Sequence, residues 1–276
     1  MRISLCNEVI AGRPFAQQCE LAAMIGYDGL ELAPFTLGDD PWRLPQAARS
    51  ELRRAAADAG IAIPSFHAIL YVPKDASITT ADSALRVRTI EIMRELIALA
   101  ADLGARTLVH GSALTRTLEA GDEDGGRQRG IDSLAAVAAT AEAANIVYCI
   151  EPLAPKQTPF VNTVAEAVAI VNAIGSPAIR TMIDCSAAAN TEAESIPELI
   201  RRFVPTGRIA HIHFNDPNRR GPGEGTLPFA PIVAALKEAL YSGDAAVEPF
   251  IYEPDGPTCA ARQIGYLRGI IEGSAA

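Results

Sequence analysis

Eight short apolar runs, set apart by longer stretches of helical character, constrain this chain more than any other feature. They are RISLCN (2–7), GLELAP (29–34), AIPSFH (62–67), TLVHGS (107–112), IVYCIE (146–151), IRTMID (179–184), RIAHIH (208–213) and AAVEPF (245–250). The alanine- and leucine-rich stretches between them have helical spacing, the alternation of βαβ units on a parallel sheet. Just before seven of the runs stands a residue that tolerates the left-handed conformation closing a helix: Gly26, Gly60, Gly104, Asn145, Gly175, Gly207 and Gly243. The series predicts an α/β fold, a closed (β/α)8 TIM barrel, with an open doubly wound sheet as the lesser alternative. The chain of 276 residues fits one such barrel, for which about 250 residues is typical. No linker or low-complexity run divides it, so residues 1–276 are expected to form a single domain.

Composition narrows the function. Hydrophobic residues make up 49% of the chain and charged residues 21%, enough apolar surface for a large core and no signature of disorder. A formal net charge of −9 repels polyphosphate, so no nucleic-acid partner is expected. No apolar run approaches the ~20 residues that span a bilayer. The N-terminus MRISLCNEV lacks the apolar core of a signal peptide, and a cytoplasmic protein with no membrane partner is expected. Cys6, Cys19, Cys149, Cys185 and Cys259 are scattered without a C-x-x-C pair. They read as small buried hydrophobes, neither a disulfide framework nor a zinc-thiolate site.

The loops after the third (68–81), fourth (113–128) and seventh (214–228) strands are long, and long loops on that face mark the functional end of a barrel. Along a strand, residues two apart point the same way. In RIAHIHFN, Ala210, Ile212 and Phe214 would face the helices while His211, His213 and Asn215 point inward. Glu151, Asp184 and Glu248 end or nearly end the fifth, sixth and eighth strands, and Glu31 lies on the second. Buried carboxylates are costly unless paired or metal-bound. Glu151, Asp184, His213 and Glu248 occupy four consecutive strands, and three oxygens with one nitrogen suit one divalent ion such as Mn²⁺, Mg²⁺ or Co²⁺. His211, one layer deeper, is expected to hold a neighbour. Parity on the eighth strand favours Glu248 over Glu253, because Val247, Pro249 and Ile251 then make a wholly apolar outer face.

With these residues in view, the chain resembles the xylose isomerase-like barrels called sugar phosphate isomerase/epimerases, and within them the ketose 3-epimerases of the D-tagatose/D-psicose type. The stretches that carry the likeness are GYDGLELAPFTL (26–37), LIALAADLGARTLVHGS (96–112), EPLAPKQTPFVNT (151–163), HIHFNDPNRRGPGEG (211–225) and VEPF (247–250). The resemblance implies that Glu151, Asp184, His213 and Glu248 are metal ligands and that Arg219 reaches substrate oxygens. It also implies a homo-oligomer, dimer or tetramer. His67 and His110, which end the third and fourth strands, are assigned to the substrate. Two positions depart from the pattern: Ala187 stands where the family often has a histidine, and Gln157 where the epimerases often have a second glutamate.

A divalent ion beside a ketone and its neighbouring hydroxyl favours loss of the proton between them, and Glu151 and Glu248 are placed to move that proton as acid and base. Epimerisation of a ketose or related sugar, or aldose–ketose isomerisation, is the expected activity. A metal-dependent lyase acting on a 3-keto sugar or glycoside is the alternative on the same barrel. The acidic surface argues against a nuclease, and the paired glutamates against a non-catalytic sugar-binding protein. Arg220 is expected to be solvated.

Overall fold

The computed structural model describes residues 1–273. Its eight strands are all parallel and run around the sheet in the order β2-β1-β8-β7-β6-β5-β4-β3. They are β1 (Ile3–Cys6), β2 (Gly29–Glu31), β3 (Ser65–Phe66), β4 (Thr107–His110), β5 (Val147–Ile150), β6 (Ile179–Asp184), β7 (Ile209–Phe214) and β8 (Asp244–Val247). The seam between β2 and β3 is the thinnest, held by single bridges from Gly29 to Ala62 and from Leu32 to Phe66. A side chain at Gly29 would meet the Ala62 carbonyl at 2.8 Å, so glycine lets these two strands approach and close the barrel.

Among the ten α-helices of the described residues, α1 (Phe15–Ile25), α3 (Ser83–Leu103) and α6 (Val164–Ile174) stop on left-handed Gly26, Gly104 and Gly175. Gly60, Asn145 and Gly207 also take positive φ as expected. The seventh stop is different. Leu240, at φ 54°, closes the turn after α9 (Phe229–Glu238), and Gly243 has no such role. The helix ends early enough that the Tyr241 amide bonds back to the Leu236 carbonyl, which demands the left-handed residue three positions before the glycine.

The crossovers hold two further departures. The loop expected over 113–128 is shorter, because a 3-10 turn spans Ala113–Arg116 and α4 covers Glu123–Ala135. Glu123 and Asp124 suit the positive end of a helix. The glycines that suggested a loop instead give α4 a smooth face, since a Cβ on Gly130 would stand 2.5 Å from the Phe160 ring. The connection from Glu151 to the start of α6 is long as well, and it forms one wall of the mouth.

Strand parity is as the alternation requires. Phe214 faces out and its ring meets Phe229 of α9 at 6.0 Å, while His211 and His213 are buried inside the barrel. A register shift between Thr181 and Met182 brings Asp184 level with His213, and His213 in turn pairs with Ala246. Glu248, two residues beyond Ala246, therefore points into the same space. All five cysteines are free and buried. Among the described residues no helix is long and apolar enough to cross a membrane.

Candidate functional site

Four strand ends converge at the carboxyl face of the barrel. Ligand atoms of Glu151, Asp184, His213 and Glu248 all lie within 4.8 Å of one another, and all four residues are buried. His213 Nδ1 faces the three carboxylates, at 3.0 Å from Glu248, 3.8 Å from Asp184 and 3.9 Å from Glu151. Close as it is to Glu248, it makes no well-aligned hydrogen bond. Asn215 donates to Asp184 at 2.7 Å and to Glu248 at 3.2 Å, and its own carbonyl oxygen accepts from the Ser186 amide. Gly111 leaves the space that Glu151 fills, because a Cβ there would overlap the Glu151 carboxylate at 1.8 Å.

Beneath this layer the chemistry is closed. His213 Nε2 is 2.7 Å from Glu31 Oε1, and His211 Nε2 is 2.6 Å from Glu31 Oε2. Ser65 donates a short hydrogen bond to the same carboxylate, and Cys6 approaches it at 3.6 Å. His211 thus does hold a neighbour: it braces Glu31, which fixes the ring of His213 and leaves Nδ1 aimed upward. A carboxylate behind the imidazole of this kind orients a metal-binding histidine.

The charge balance differs between the layers. Burial pushes the Glu31 carboxyl up, but His211 and His213 outweigh it and hold it well below the usual range. Burial and the neighbouring Glu248 charge push Glu151 up to about 8, and the same two causes push Asp184 up to about 6. Burial also raises Glu248, yet the neighbouring His213 and His67 outweigh it and bring that carboxyl down to about 2. Burial pulls His213 down, but Glu248 and Glu31 hold it well above its ordinary value.

Above the cluster opens a cavity of about 350 Å³, with Glu8, Glu151, Glu248, Phe35, Tyr71 and Phe250 among its walls. A second cavity of about 330 Å³ continues past Glu151 and Asp184 to Gln157, Ala187 and Arg219. Arg219 is exposed there, its guanidinium 5.4 Å from the Phe250 ring. Gln157 lies at the rim, folded back onto the Ala154 amide. Arg220 is not simply solvated. It pairs with Glu253, whose side chain is 68% exposed and lines neither cavity.

His67 and His110 part company. His67 stands behind Glu248, with Nδ1 3.0 Å from Glu248 Oε1 and Nε2 2.7 Å from Glu8 Oε2. His110 is not brought to the mouth. Thr115 gives its hydroxyl proton to the Ser112 carbonyl, so His110 Nε2 must donate to Thr115 at 2.7 Å, and Tyr148 donates to Nδ1 at 3.0 Å. Both ring nitrogens are consumed, and burial and Arg116 hold the ring neutral, its pKa well below the ordinary value. Its place is structural, under the floor of the cavity.

Two residues of the site carry no signal that the strand pattern exposes. Glu8, just past the end of β1, obeys the same strand-end rule as the others but lies one residue beyond the predicted strand. Arg116 is wholly buried in the fourth crossover and donates to the Glu151 carbonyl at 2.8 Å. Burial pulls its guanidinium down to about 10.

With this barrel and this mouth, the chain belongs to the xylose isomerase-like TIM barrel family, whose model matches residues 19–270. It is 28% identical over 240 residues to the D-psicose 3-epimerase of Agrobacterium fabrum (strain C58), spanning 86% of this chain and 80% of that one. It is 32% identical over 184 residues to the L-ribulose 3-epimerase of Mesorhizobium japonicum, 66% of this chain and 61% of that one. A crystal structure of D-psicose 3-epimerase in the presence of D-fructose shares the fold, with a TM-score of 0.84 over 98% of this chain and 99% of that chain at 22% identity. These relatives are ketose 3-epimerases, the group that the sequence motifs resemble.

Proposed function

We propose that this chain is a divalent-metal-dependent ketose epimerase that inverts carbon 3 through an enediolate, with Glu151 and Glu248 as its acid/base pair. The observation that carries the reading is the convergence of four side chains able to offer a ligand atom, within 4.8 Å of one another, two of which also line the cavity. The ketose 3-epimerases among its relatives support the reaction class.

The residues fit one cation. His213 Nδ1 is buried, without an aligned hydrogen bond, and aimed at three carboxylates, and the burial and Glu248 repulsion that raise Glu151 and Asp184 are what a positive ion would offset. Glu151, Asp184, His213 and Glu248 would hold it. When bound it supplies Lewis-acid stabilisation of the charge that develops on the substrate oxygens.

The protein's own groups move the proton. Two carboxylates from different strands, both lining the cavity, divide the roles of base and acid. Glu248, ionised between His67 and His213, takes the proton from one face of carbon 3. Glu151 delivers a proton drawn from solvent to the other face; for the opposite epimer the roles reverse. Asn215 keeps Asp184 and Glu248 at fixed separation, and Arg219 at the rim meets substrate hydroxyls.

Incubation of the Mn²⁺-loaded protein with D-fructose and D-tagatose in D₂O tests this. Deuterium at carbon 3 with formation of the 3-epimer is the expected result. Label at carbon 1 or 2 would instead mean isomerisation, loss of water or an aglycone from a 3-keto glycoside would mean a lyase, and no incorporation with any ketose would end the proposal.

A further inference from the structure

Glu8 lies in the 3-10 turn Asn7–Ile10 that follows β1, and its carboxylate forms part of the cavity wall. The turn is firmly built. The Asn7 side chain donates to Gln18 at 3.1 Å and to Thr36 at 2.9 Å, and accepts from the Ala33 amide at 2.8 Å. The start of α10 (Gly256–Gly273) rests on it so closely that a Cβ on Gly256 would stand 1.9 Å from the Val9 carbonyl. From this rigid turn Glu8 places Oε2 at 2.7 Å from His67 Nε2, and the far side of the same ring places Nδ1 at 3.0 Å from Glu248 Oε1.

The two oxygens of Glu248 have separate surroundings. Oε2 faces His213 Nδ1 at 3.0 Å and Asn215 at 3.2 Å, on the side of the candidate cation. Oε1 faces only His67 in this set. The orientation of His67 therefore sets the oxygen that is turned from the cation, and Glu8 sets the orientation of His67. The ring is 1% exposed, and the Glu8 oxygen 2.7 Å away faces its Nε2 in a close contact without an aligned hydrogen bond; removing that oxygen takes away the neighbour against which the buried nitrogen is set, and a buried polar group that loses its partner drives rearrangement. Glu151 has no part in this chain of contacts; its support comes from Arg116 and Gly111 on the other side of the mouth.

We propose that Glu8 is a positioning residue that acts through His67 on Glu248, and that it governs proton traffic on one face of the substrate only. The proposal rests on the epimerase reading above. It assigns a function to a residue outside the four-residue cluster and makes the two acid/base groups separable by a mutation that touches neither.

The test measures deuterium uptake at carbon 3 of each epimer separately, in D₂O with Mn²⁺, before the epimers interconvert. In the wild-type protein both epimers exchange. Glu8→Ala should slow exchange of the epimer whose carbon 3 hydrogen faces Glu248 by about tenfold or more, the scale of lost support behind a site residue, while the other epimer exchanges within about threefold of wild type. Glu8→Gln, which keeps the length and an acceptor oxygen, should restore most of the loss. His67→Phe, which keeps the ring without its nitrogens, should give the same one-sided loss and serves where Glu8→Ala does not fold. Mn²⁺ affinity by calorimetry should stay within a few-fold in each variant. Equal loss for both epimers, no loss for either, or loss that tracks Mn²⁺ affinity would overturn the role of Glu8 and leave the epimerase reading intact. A wild-type protein that exchanges neither epimer would overturn both.

Discussion

Two carboxylate clusters are stacked in the same barrel, about one side chain apart, and they have opposite fates. The deep one, around Glu31, has as much positive and donating character as it needs: His211, His213, Ser65 and Cys6 surround a single carboxylate. The upper one gathers Glu151, Asp184 and Glu248 around a single imidazole nitrogen. Burial is severe in both, with Glu31 wholly enclosed and Glu151, Asp184 and Glu248 only 5–6% exposed. What separates them is satisfaction. A buried charge with full partners is structural, whereas a buried cluster in which three carboxylates face the one nitrogen of His213, with His67 behind only Glu248, is a place for a cation and for proton transfer.

The contrast is sharpest when one residue is removed from each layer. Glu31→Gln should cost roughly 3–5 kcal/mol of stability, because it strands two buried histidines, and urea denaturation reads it directly. Little loss would mean that the deep layer is not the brace described above. Glu248→Gln should instead lower epimerisation by about a hundredfold or more with a small change in stability. Glu253→Gln, on an exposed pair with Arg220, should leave activity within about twofold, since such pairs contribute ~1 kcal/mol or less. A dead Glu253 variant beside an active Glu248 variant would break the assignment of the upper layer.

A subtler difference lies in pH. Glu151 is raised from 4.5 to about 8 and Asp184 from 3.8 to about 6 in the fold, so each prefers to keep its proton there while the unfolded chain loses it. Their favourable contribution is fully present below the unfolded values and is lost as pH rises through the folded ones. His213, also raised, acts in the same direction. Glu31 and Glu248, held low, lose their contribution only in acid, below the unfolded value. The melting temperature of chelated protein should therefore fall between about pH 4.5 and 8, Glu151→Gln should flatten that fall, and Mn²⁺ should raise the melting temperature more at pH 8 than at pH 6. A flat profile in chelated wild-type protein would count against the repulsion in the upper layer.

The same two layers mark what could be read from sequence. Alternation on one strand sorted His211, His213 and Asn215 from Ala210, Ile212 and Phe214, because a barrel strand has an apolar side and a filled side and a shift of one residue would invert them. It also chose Glu248 over Glu253. His110 shows the limit of the rule. It ends a strand as His67 does, yet Tyr148 and Thr115, one from the next strand and one from a 3-10 turn, take both its nitrogens. No local spacing announces that partnership. Glu8 and Arg116 escaped for a related reason, since each reaches the site from an irregular segment whose path is set by tertiary packing. In α4 a run of glycines and acids imitates a loop, and only contact with Phe160 explains why Gly130 belongs in a helix.

Calorimetric titration of chelated protein with Mn²⁺, run in two buffers of different ionisation enthalpy, tests the division between the layers most directly. One ion should bind per chain with release of protons, because Glu151 must give up the proton that its surroundings make it keep. His213→Ala should abolish that binding, whereas His211→Ala should keep it and mainly lose stability. Full metal affinity without His213, equal loss in both histidine variants, or no Mn²⁺ binding by the wild-type protein would contradict the assignment of the upper layer as the cation site.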